Sequence, residues 1–379
     1  MRRFYFPTQL FSGAGCIRQL PQFLSGGLRI LMVTDENLLR TEAAARILAL
    51  IKSAGAAAVI FSDVMPNPEL SMVYRAVTLC RSNEIGAVLS LGGGSVMDTG
   101  KAVAMLAAQP DPIARFAESG LKPACPSIPH YAVPTTCGTG AEASSVAVIS
   151  YGNTKRGLWA DSLFPTAAFA DPELLASLPE RILTETAMDA LSHALESFIG
   201  KERQGILQAL GLEAARMIFL SLQAARAGDP EARASLCEAA SMAGIAMGQS
   251  GTGMVHAMSD QLGEQFHLSH GAGIAVLLPH CLRFNLPAAQ DQLARFADAV
   301  GIAKSQPEET RASAAVDALE ALCRNCGIPA RLQDCAASDE QISAMAQSAC
   351  SSFIIENNPR PVTPAALSEI FRDLIPKQI

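Results

Sequence analysis

Four residues with metal-ligating side chains stand out in the second half of the sequence: Asp189, His193, His256 and His270. On a helix, the four-residue spacing of Asp189 and His193 places both side chains on one face. The chain has only six histidines, and three of them belong to this set. A single histidine on an apolar face is more often a core residue, so the hypothesis depends on the set. One carboxylate and three imidazoles suit Zn²⁺ or Fe²⁺ and leave room for a substrate oxygen.

A second chemical feature is the run Gly92-Gly93-Gly94-Ser95, which follows an apolar strand pattern and precedes a helical one. This order aims backbone N–H groups and a helix N-terminus at an anion, and glycine lets the backbone approach a pyrophosphate. The alternative is a tight strand-to-helix turn without a ligand. The phosphate interpretation is favoured by further polar residues, namely Asp98, Lys101, Thr135, Thr136 and Thr139. The run is not G-x-G-x-x-G, so it predicts a fold that resembles a Rossmann fold without its signature.

Asp35 directly follows the first strongly apolar strand pattern, residues 29–34. A carboxylate at this position can accept a hydrogen bond from a ribose hydroxyl. Its negative charge would repel a 2′-phosphate, which favours NAD over NADP. The alternative is a surface aspartate that starts a turn.

The elements that position these residues differ between the two halves of the chain. In the first half, strand patterns at 29–34, 58–61 and 86–91 alternate with helical patterns at 39–54 and 70–82. Apolar strands that alternate with helices predict a parallel sheet covered on both faces.

From about residue 179 strand patterns nearly vanish, and long helical patterns follow at 183–199, 207–227, 230–248 and 313–326. A chain of 379 residues is long enough for two cores. The sequence therefore predicts an α/β nucleotide-binding domain at 1–180 and a helical metal-binding domain at 181–379.

Composition excludes several classes of function. Charged residues make up 17% of the chain and the net charge is −7, so no basic surface is expected to bind nucleic acid. We expect neither a signal peptide nor a membrane span.

Ten irregularly spaced cysteines predict reduced thiols in a cytoplasmic protein. The C-x-x-C pair Cys323 and Cys326 is interpreted as packing thiols at a helix end; a redox or zinc site is the alternative.

Together these motifs resemble those of the iron-containing (group III) alcohol dehydrogenase family. The resemblance covers nearly the whole chain. Besides the residues above, it rests on Pro66-Asn67-Pro68, Pro134-Thr135-Thr136, Gly138-Thr139-Gly140, His256-Ala257-Met258, Ser269-His270-Gly271, Leu277-Leu278-Pro279-His280 and Asn358-Pro359-Arg360-Pro361.

The resemblance implies an N-terminal Rossmann-like parallel-sheet domain, a C-terminal helical domain, and a homodimer or higher homo-oligomer. It implies Fe²⁺, or alternatively Zn²⁺, bound by Asp189, His193, His256 and His270. The metal would act as a Lewis acid on the substrate oxygen during hydride transfer with NAD(H). The residues implied to contact the cofactor are Asp35, Asn67, Gly93, Gly94, Ser95, Asp98, Thr135, Thr136 and Thr139.

The chain departs from the family pattern one turn after the third ligand, where Asp260 stands in place of a frequent histidine with a proton-relay role. Asp260 could serve as an alternative relay, contact the nicotinamide ribose or a ligand, or join the metal shell; water could also replace the relay. We favour contact with the ribose or a ligand. Val146 takes a cofactor-facing position that can hold asparagine. Lys155 and Arg156 straddle the position of a usual cofactor-contacting lysine.

In the substrate pocket, Met247 replaces a frequent aromatic residue and Thr252 a frequent aliphatic one. A roomier pocket with an extra hydroxyl predicts a short polar-substituted or anionic aldehyde or alcohol, similar to lactaldehyde, 3-hydroxypropanal or sulfoacetaldehyde. The leading hypothesis is an NAD(H)-linked, metal-dependent alcohol dehydrogenase or aldehyde reductase. The alternatives are a lyase similar to dehydroquinate synthase and a non-catalytic relative.

Overall fold

The computed structural model describes residues 3–109, 125–152 and 154–377. The chain forms two compact units, Arg3–Leu178 and Pro179–Ile379. This division lies beside residue 180, where the sequence placed the domain boundary. Each unit has its own secondary structure.

The first unit is built on a six-stranded sheet in the order β1-β8-β5-β4-β2-β3. Every neighbouring pair in it is parallel, as the sequence predicted. The strands are β1 (Gln9–Ser12), β2 (Arg29–Val33), β3 (Ala57–Phe61), β4 (Ala87–Gly92), β5 (His130–Pro134) and β8 (Ala167–Ala170). An antiparallel hairpin of β6 (Val146–Tyr151) and β7 (Thr154–Trp159) stands apart from this sheet.

The central strands β2, β4 and β5 are mostly apolar and buried because both faces of the sheet are covered. In β2, Leu31 and Val33 belong to one buried cluster, whereas Ile30 and Met32 belong to another. The first cluster contains residues of α3 (Leu70–Ser82) and α4 (Gly94–Ala107), and the second contains residues of α2 (Glu42–Ser53). The short helix α1 (Glu36–Leu39) precedes α2.

The predicted helix 39–54 corresponds to α2, which begins three residues later than predicted, because Thr41 separates it from α1. The Thr41 hydroxyl donates to the carbonyl of Leu38 at 2.7 Å, and Thr41 takes the extended N-cap position of α2. A threonine that bonds locally to the backbone favours such a break over a continuous helix.

The second unit is mostly helical, as predicted. Its long central helix α5 (Glu180–Ile199) is buried along nearly its whole length and packs on α6, α7 and α9. The described part of this unit contains, after α5, the helices α6 (Gly205–Arg226), α7 (Pro230–Ser250), α8 (Met254–Phe266), α9 (His270–Asn285), α10 (Gln290–Ala299), α11 (Glu308–Asn325), α12 (Asp339–Cys350) and α13 (Pro364–Leu374).

By length and composition alone, α6 could cross a membrane. It packs on α5 and α7, and Leu207, Ala214, Ile218 and Leu222 are buried there. Core helices of soluble proteins meet the same criteria, so this helix carries no argument for a membrane location.

Cys323 in α11 and Cys326 just beyond it are both buried, as expected for packing thiols. All ten cysteines of the chain are free thiols.

A buried histidine joins β4 to β5 behind the glycine run. His130 Nε2 lies 2.8 Å from the Ser90 hydroxyl, and both residues are buried. Gly100 in α4 approaches this pair so closely that a Cβ there would lie 1.8 Å from Ser90 Oγ. Burial, and then the charge of Lys101, lowers the pKa of His130 to about 3.

We expect His130 to make the first unit sensitive to acid. An unfolded histidine binds its proton near pH 6.5, whereas the folded His130 stays neutral down to about pH 3. Acid therefore favours the unfolded state. When the pH falls from about 7.5 to about 5, the effect of His130 should lower the free energy of unfolding by about 2 kcal/mol. Urea titrations followed by fluorescence of Trp159, the single tryptophan, would measure this loss.

The matched pair for this test is His130→Asn and His267→Asn. His267 is exposed and has a φ of 56°, a conformation that asparagine tolerates. The pH dependence should become shallower in His130→Asn and stay unchanged in His267→Asn. Equal slopes in the wild type and in His130→Asn would contradict the expectation.

Candidate metal centre and nucleotide-binding loops

The second unit places one donor atom each of Asp189, His256 and His270 within 4.8 Å of the others; His193 lies close to Asp189 but is not part of that group. Asp189 Oδ1 lies 3.7 Å from Nε2 of His193, 3.5 Å from Nε2 of His256 and 3.5 Å from Nε2 of His270. Asp189 and His193 lie on one face of α5, as their spacing predicted. His256 lies in the first turn of α8, and His270 is the first residue of α9.

These distances suit a shared ion. Donor atoms that each lie about 2.1 Å from a tetrahedral ion are about 3.4 Å apart. Asp189 Oδ1 and His256 Nε2 are buried and have no hydrogen-bond partner within the described residues. Buried polar atoms without partners are costly, and an ion at this point would satisfy both. The donors of Asp189, His256 and His270 therefore fit Fe²⁺ or Zn²⁺, and ligation by His193 stays a prediction.

The electrostatics of the cluster also favour a cation. Burial acts to raise the pKa of Asp189, but the imidazoles of His193, His256 and His270 hold it well below its usual range. Burial likewise acts to lower the pKa of His256, and the carboxylates of Glu196 and Asp189 reverse this and raise it.

One residue of this site, Glu196, was missed by the sequence analysis. It is buried in α5, three residues after His193, and its Oε2 contacts Nδ1 of His256. The sequence signal is the pattern Asp-x-x-x-His-x-x-Glu, which keeps all three side chains near one helix face.

In the first unit, the sheet order creates a crevice at the carboxyl ends of β2 and β4. The chain leaves β2 toward β3 and leaves β4 toward β5, which lie on opposite sides. Open parallel sheets bind ligands at such a switch point. Asp35 follows β2 and Gly93 follows β4, so both predicted cofactor residues lie at this edge.

Two loops meet above β4 and β5. Gly92 at the end of β4 pairs with Pro134 at the end of β5. A Cβ on Gly93 would lie 3.3 Å from Thr136 Cγ2, and one on Gly94 would lie 2.6 Å from Thr139 Cγ2. The glycines thus allow the two loops to touch.

Around these loops, Gly93 is the N-cap of α4 and has no side chain to cap it. Ser95 lies in the first turn of this helix. Because no side chain caps the turn, its free backbone N–H groups remain available to an anion. Thr135 donates its backbone N–H to the carbonyl of Gly92 at 3.0 Å.

Asp98 and Lys101 tie α4 to the hairpin. Asp98 Oδ2 accepts from the backbone N–H of Val148 at 3.0 Å. Lys101 is buried, and its Nζ donates to Ser144 Oγ at 3.0 Å and to the carbonyl of Val146 at 2.8 Å. Burial raises the pKa of Asp98 to about 6 and lowers that of Lys101 to about 8; the charge of each opposes the shift of the other. These contacts position Val146, and cofactor contact by Asp98 stays a prediction.

Asp35 has a local role beside the one predicted. Its Oδ1 accepts from the backbone N–H groups of Asn37 at 3.0 Å and Leu38 at 2.9 Å, which caps α1. This local role is compatible with the predicted contact to a ribose, since both of these hydrogen bonds use the same carboxylate oxygen. Asn67 lies in the exposed loop after β3 with a φ of 54°. Lys155 and Arg156 lie in β7, and their side chains fall outside what the structure describes.

The candidate substrate residues lie near the start of α8. Met247 is in the last turn of α7, and Thr252 is buried in the loop that follows. The Asn357 side chain donates to the Thr252 carbonyl at 3.0 Å and fixes this loop. Asp260 is partly buried in α8, one turn after His256.

Comparison with known proteins decides the family. A model of iron-containing alcohol dehydrogenases matches residues 7–172, and a model of the C-terminal part of the Fe-containing alcohol dehydrogenase family matches residues 183–375. The chain belongs to the iron-containing alcohol dehydrogenase family. Both the family and the fold expected from the sequence are thereby confirmed.

Relatives within this family differ in substrate. The chain is 32% identical to NAD-dependent methanol dehydrogenase of Bacillus methanolicus over 384 residues, 99% of this chain and 100% of the relative. It is 31% identical to lactaldehyde reductase of Escherichia coli K12 over 350 residues, 91% of this chain and 92% of the relative. The structure of sulfoacetaldehyde reductase from Bifidobacterium kashiwanohense in complex with NAD⁺ matches with a TM-score of 0.90 and 29% identity, covering 99% of each chain. As a member of this family, the protein is an alcohol dehydrogenase-type oxidoreductase.

Proposed function

We propose that the protein is a metal-dependent, NAD(H)-linked aldehyde reductase that acts on short, polar-substituted aldehydes. The observation that carries the proposal is the convergence of three imidazole Nε2 atoms within 3.5–3.7 Å of Asp189 Oδ1 in a chain of this family. Fe²⁺ is the proposed ion and Zn²⁺ the alternative. When bound, such an ion supplies Lewis acidity toward the substrate oxygen.

The chain's own residues have separate tasks in this proposal. Asp189, His193, His256 and His270 would hold the ion. The N–H groups at the start of α4 would bind the pyrophosphate, with Thr136 and Thr139 on the facing loop. Asp35, through the carboxylate oxygen that does not cap α1, would accept from the adenosine ribose and disfavour a 2′-phosphate.

Asp260 is proposed to contact the nicotinamide ribose or a metal ligand. Its position, one turn from His256 on the same helix face, supports this role. Cytoplasmic location and assembly into a homodimer or a higher homo-oligomer are parts of the same proposal.

The substrate preference is proposed from Thr252 and Met247. Thr252 adds a hydroxyl beside the helix that carries His256, and Met247 is smaller than an aromatic residue. A pocket with a polar contact rejects substrates that leave that contact unpaired. Lactaldehyde, 3-hydroxypropanal and sulfoacetaldehyde are therefore favoured over propanal.

The experiment follows NADH oxidation by its near-ultraviolet absorbance after chelation and again after addition of Fe²⁺ or Zn²⁺. Turnover should require the metal, and kcat/KM should be higher for the polar aldehydes than for propanal. Thr252→Val, which keeps the shape and removes the hydroxyl, should narrow this difference in kcat/KM, whereas Thr78→Val, at an exposed position of α3, should not. A clear preference for propanal or longer alkanals overturns the substrate proposal.

The same assay addresses the alternatives. A lyase similar to dehydroquinate synthase would recycle its NAD within one turnover, and a non-catalytic relative would not oxidise NADH. No net NADH oxidation with any aldehyde, in protein that has bound metal, would therefore overturn the reductase proposal.

A further inference from the structure

Glu196 is enclosed by hydrogen-bond donors on both of its oxygens. Its Oε1 accepts from the backbone N–H of Val255 at 2.9 Å, and its Oε2 contacts His256 Nδ1 and accepts from the Ser192 hydroxyl at 3.4 Å. The side chain is only 4% exposed, so water does not compete for these contacts. A carboxylate can accept at both oxygens at once, which an amide cannot.

We infer that Glu196 is a positioning residue for the metal: it holds the His256 ring so that Nε2 faces the ion. Because a carboxylate only accepts, its contact with Nδ1 requires that nitrogen to carry the proton. The lone pair then lies on Nε2, the buried atom without a partner in the described chain, 3.5 Å from Asp189 Oδ1. A carboxylate that orients a ligating histidine in this way also makes it a stronger ligand.

Glu196 also holds the backbone that carries His256. The N-cap of α8 is Gly253, which has no side chain to satisfy the free N–H groups of the first turn. Glu196, from a different helix, bonds the N–H of Val255 and supplies a negative charge at the helix N-terminus. A Cβ on Gly253 would lie 2.9 Å from Glu196 Oε1. One carboxylate therefore fixes both the start of α8 and the ring two residues later.

The conservative variant Glu196→Gln separates this role from simple packing. Glutamine has the same shape, but one of its two terminal groups is an NH₂ donor. If that donor faces His256, the ring must move its proton to Nε2, where the metal should bind. If it faces Val255, two N–H groups oppose each other and the start of α8 shifts. Either arrangement weakens metal binding.

The inference rests on the proposed metal site and is tested by metal affinity rather than activity. Zn²⁺ affinity, measured by competition with a chromophoric chelator, should fall about 10- to 100-fold in Glu196→Gln. The visible absorption of the Co²⁺-loaded protein should change as well, because the geometry around the ion changes. Glu213→Gln, a glutamate of α6 that pairs with Arg216 at the surface, should bind both ions as the wild type does.

The outcomes distinguish this inference from the proposed function. If the wild type does not bind Zn²⁺, both fail. If the wild type binds and folded Glu196→Gln binds equally well with an unchanged Co²⁺ spectrum, only the role of Glu196 is overturned. Should Glu196→Gln not fold, Glu196→Asp decides. Its shorter carboxylate should lower Zn²⁺ affinity in folded protein, and undiminished affinity would overturn the inference.

Discussion

Replacing His270 by alanine should abolish metal binding and activity while leaving NAD binding intact. His270 supplies one of the three nitrogens around Asp189 Oδ1, and its loss should reduce Zn²⁺ affinity at least about 100-fold, beyond the usual effect of losing an outer partner. The side chain is 39% exposed, so its removal leaves little buried volume empty. The predicted nucleotide residues all lie in the first unit, Arg3–Leu178.

Two titrations check this expectation: chelator competition for Zn²⁺ and calorimetry for NAD⁺. His267→Asn is the control, because this exposed histidine lies three residues away and is not among the four ligands. Its metal and nucleotide affinities should match those of the wild type. Metal retained at full affinity in His270→Ala would show that the ligand assignment is wrong.

Replacing Gly94 by alanine should weaken NAD⁺ binding. The new Cβ would lie 2.6 Å from Thr139 Cγ2 and 3.3 Å from Thr139 Oγ1, so one of the two loops must move. Overpacking of this kind costs about 1–3 kcal/mol. If that cost destabilises the arrangement of the loops that binds the nucleotide, the dissociation constant for NAD⁺ should rise about 10- to 100-fold.

The methyl group of Thr139 provides the sharpest control. In the double variant Gly94→Ala/Thr139→Ser the clashing methyl is absent and the hydroxyl is kept, so NAD⁺ affinity should partly recover. Gly205→Ala adds a methyl at the start of α6, where nothing lies within 4 Å, and should have no effect. Wild-type affinity in folded Gly94→Ala would mean that these loops do not bind the cofactor.

The candidate metal ligands could be singled out from the sequence because two independent signals coincide. The chain has six histidines, and the helical spacing of Asp189 and His193 places a carboxylate and an imidazole on one face. Glu196 was not predictable in the same way. The pattern Asp-x-x-x-His-x-x-Glu places it near the same helix face as the two ligands, but its contact with His256, sixty positions further along the chain, is not encoded in that pattern.

The parallel sheet was predictable because its central strands are mostly apolar, and they are apolar because both faces of the sheet are covered. The hairpin of β6 and β7 was not, since two of its backbone groups bond to side chains of α4. The buried Lys101 and the partly buried Asp98 make these bonds, and a lysine or aspartate near a glycine run is more readily interpreted as a ligand contact. Polar residues in a motif can therefore serve the scaffold of a site.

Three of the residues that define the metal centre, Asp189, His193 and Glu196, come from one short stretch of α5 that is buried on every side. Of the other two candidate ligands, His256 is buried in the first turn of α8, which Glu196 holds, whereas His270 begins α9 with its side chain 39% exposed. Substitutions should therefore be tolerated best beside His270. A library intended to exchange the metal should diversify the residues that flank His270 and leave α5 and the start of α8 untouched.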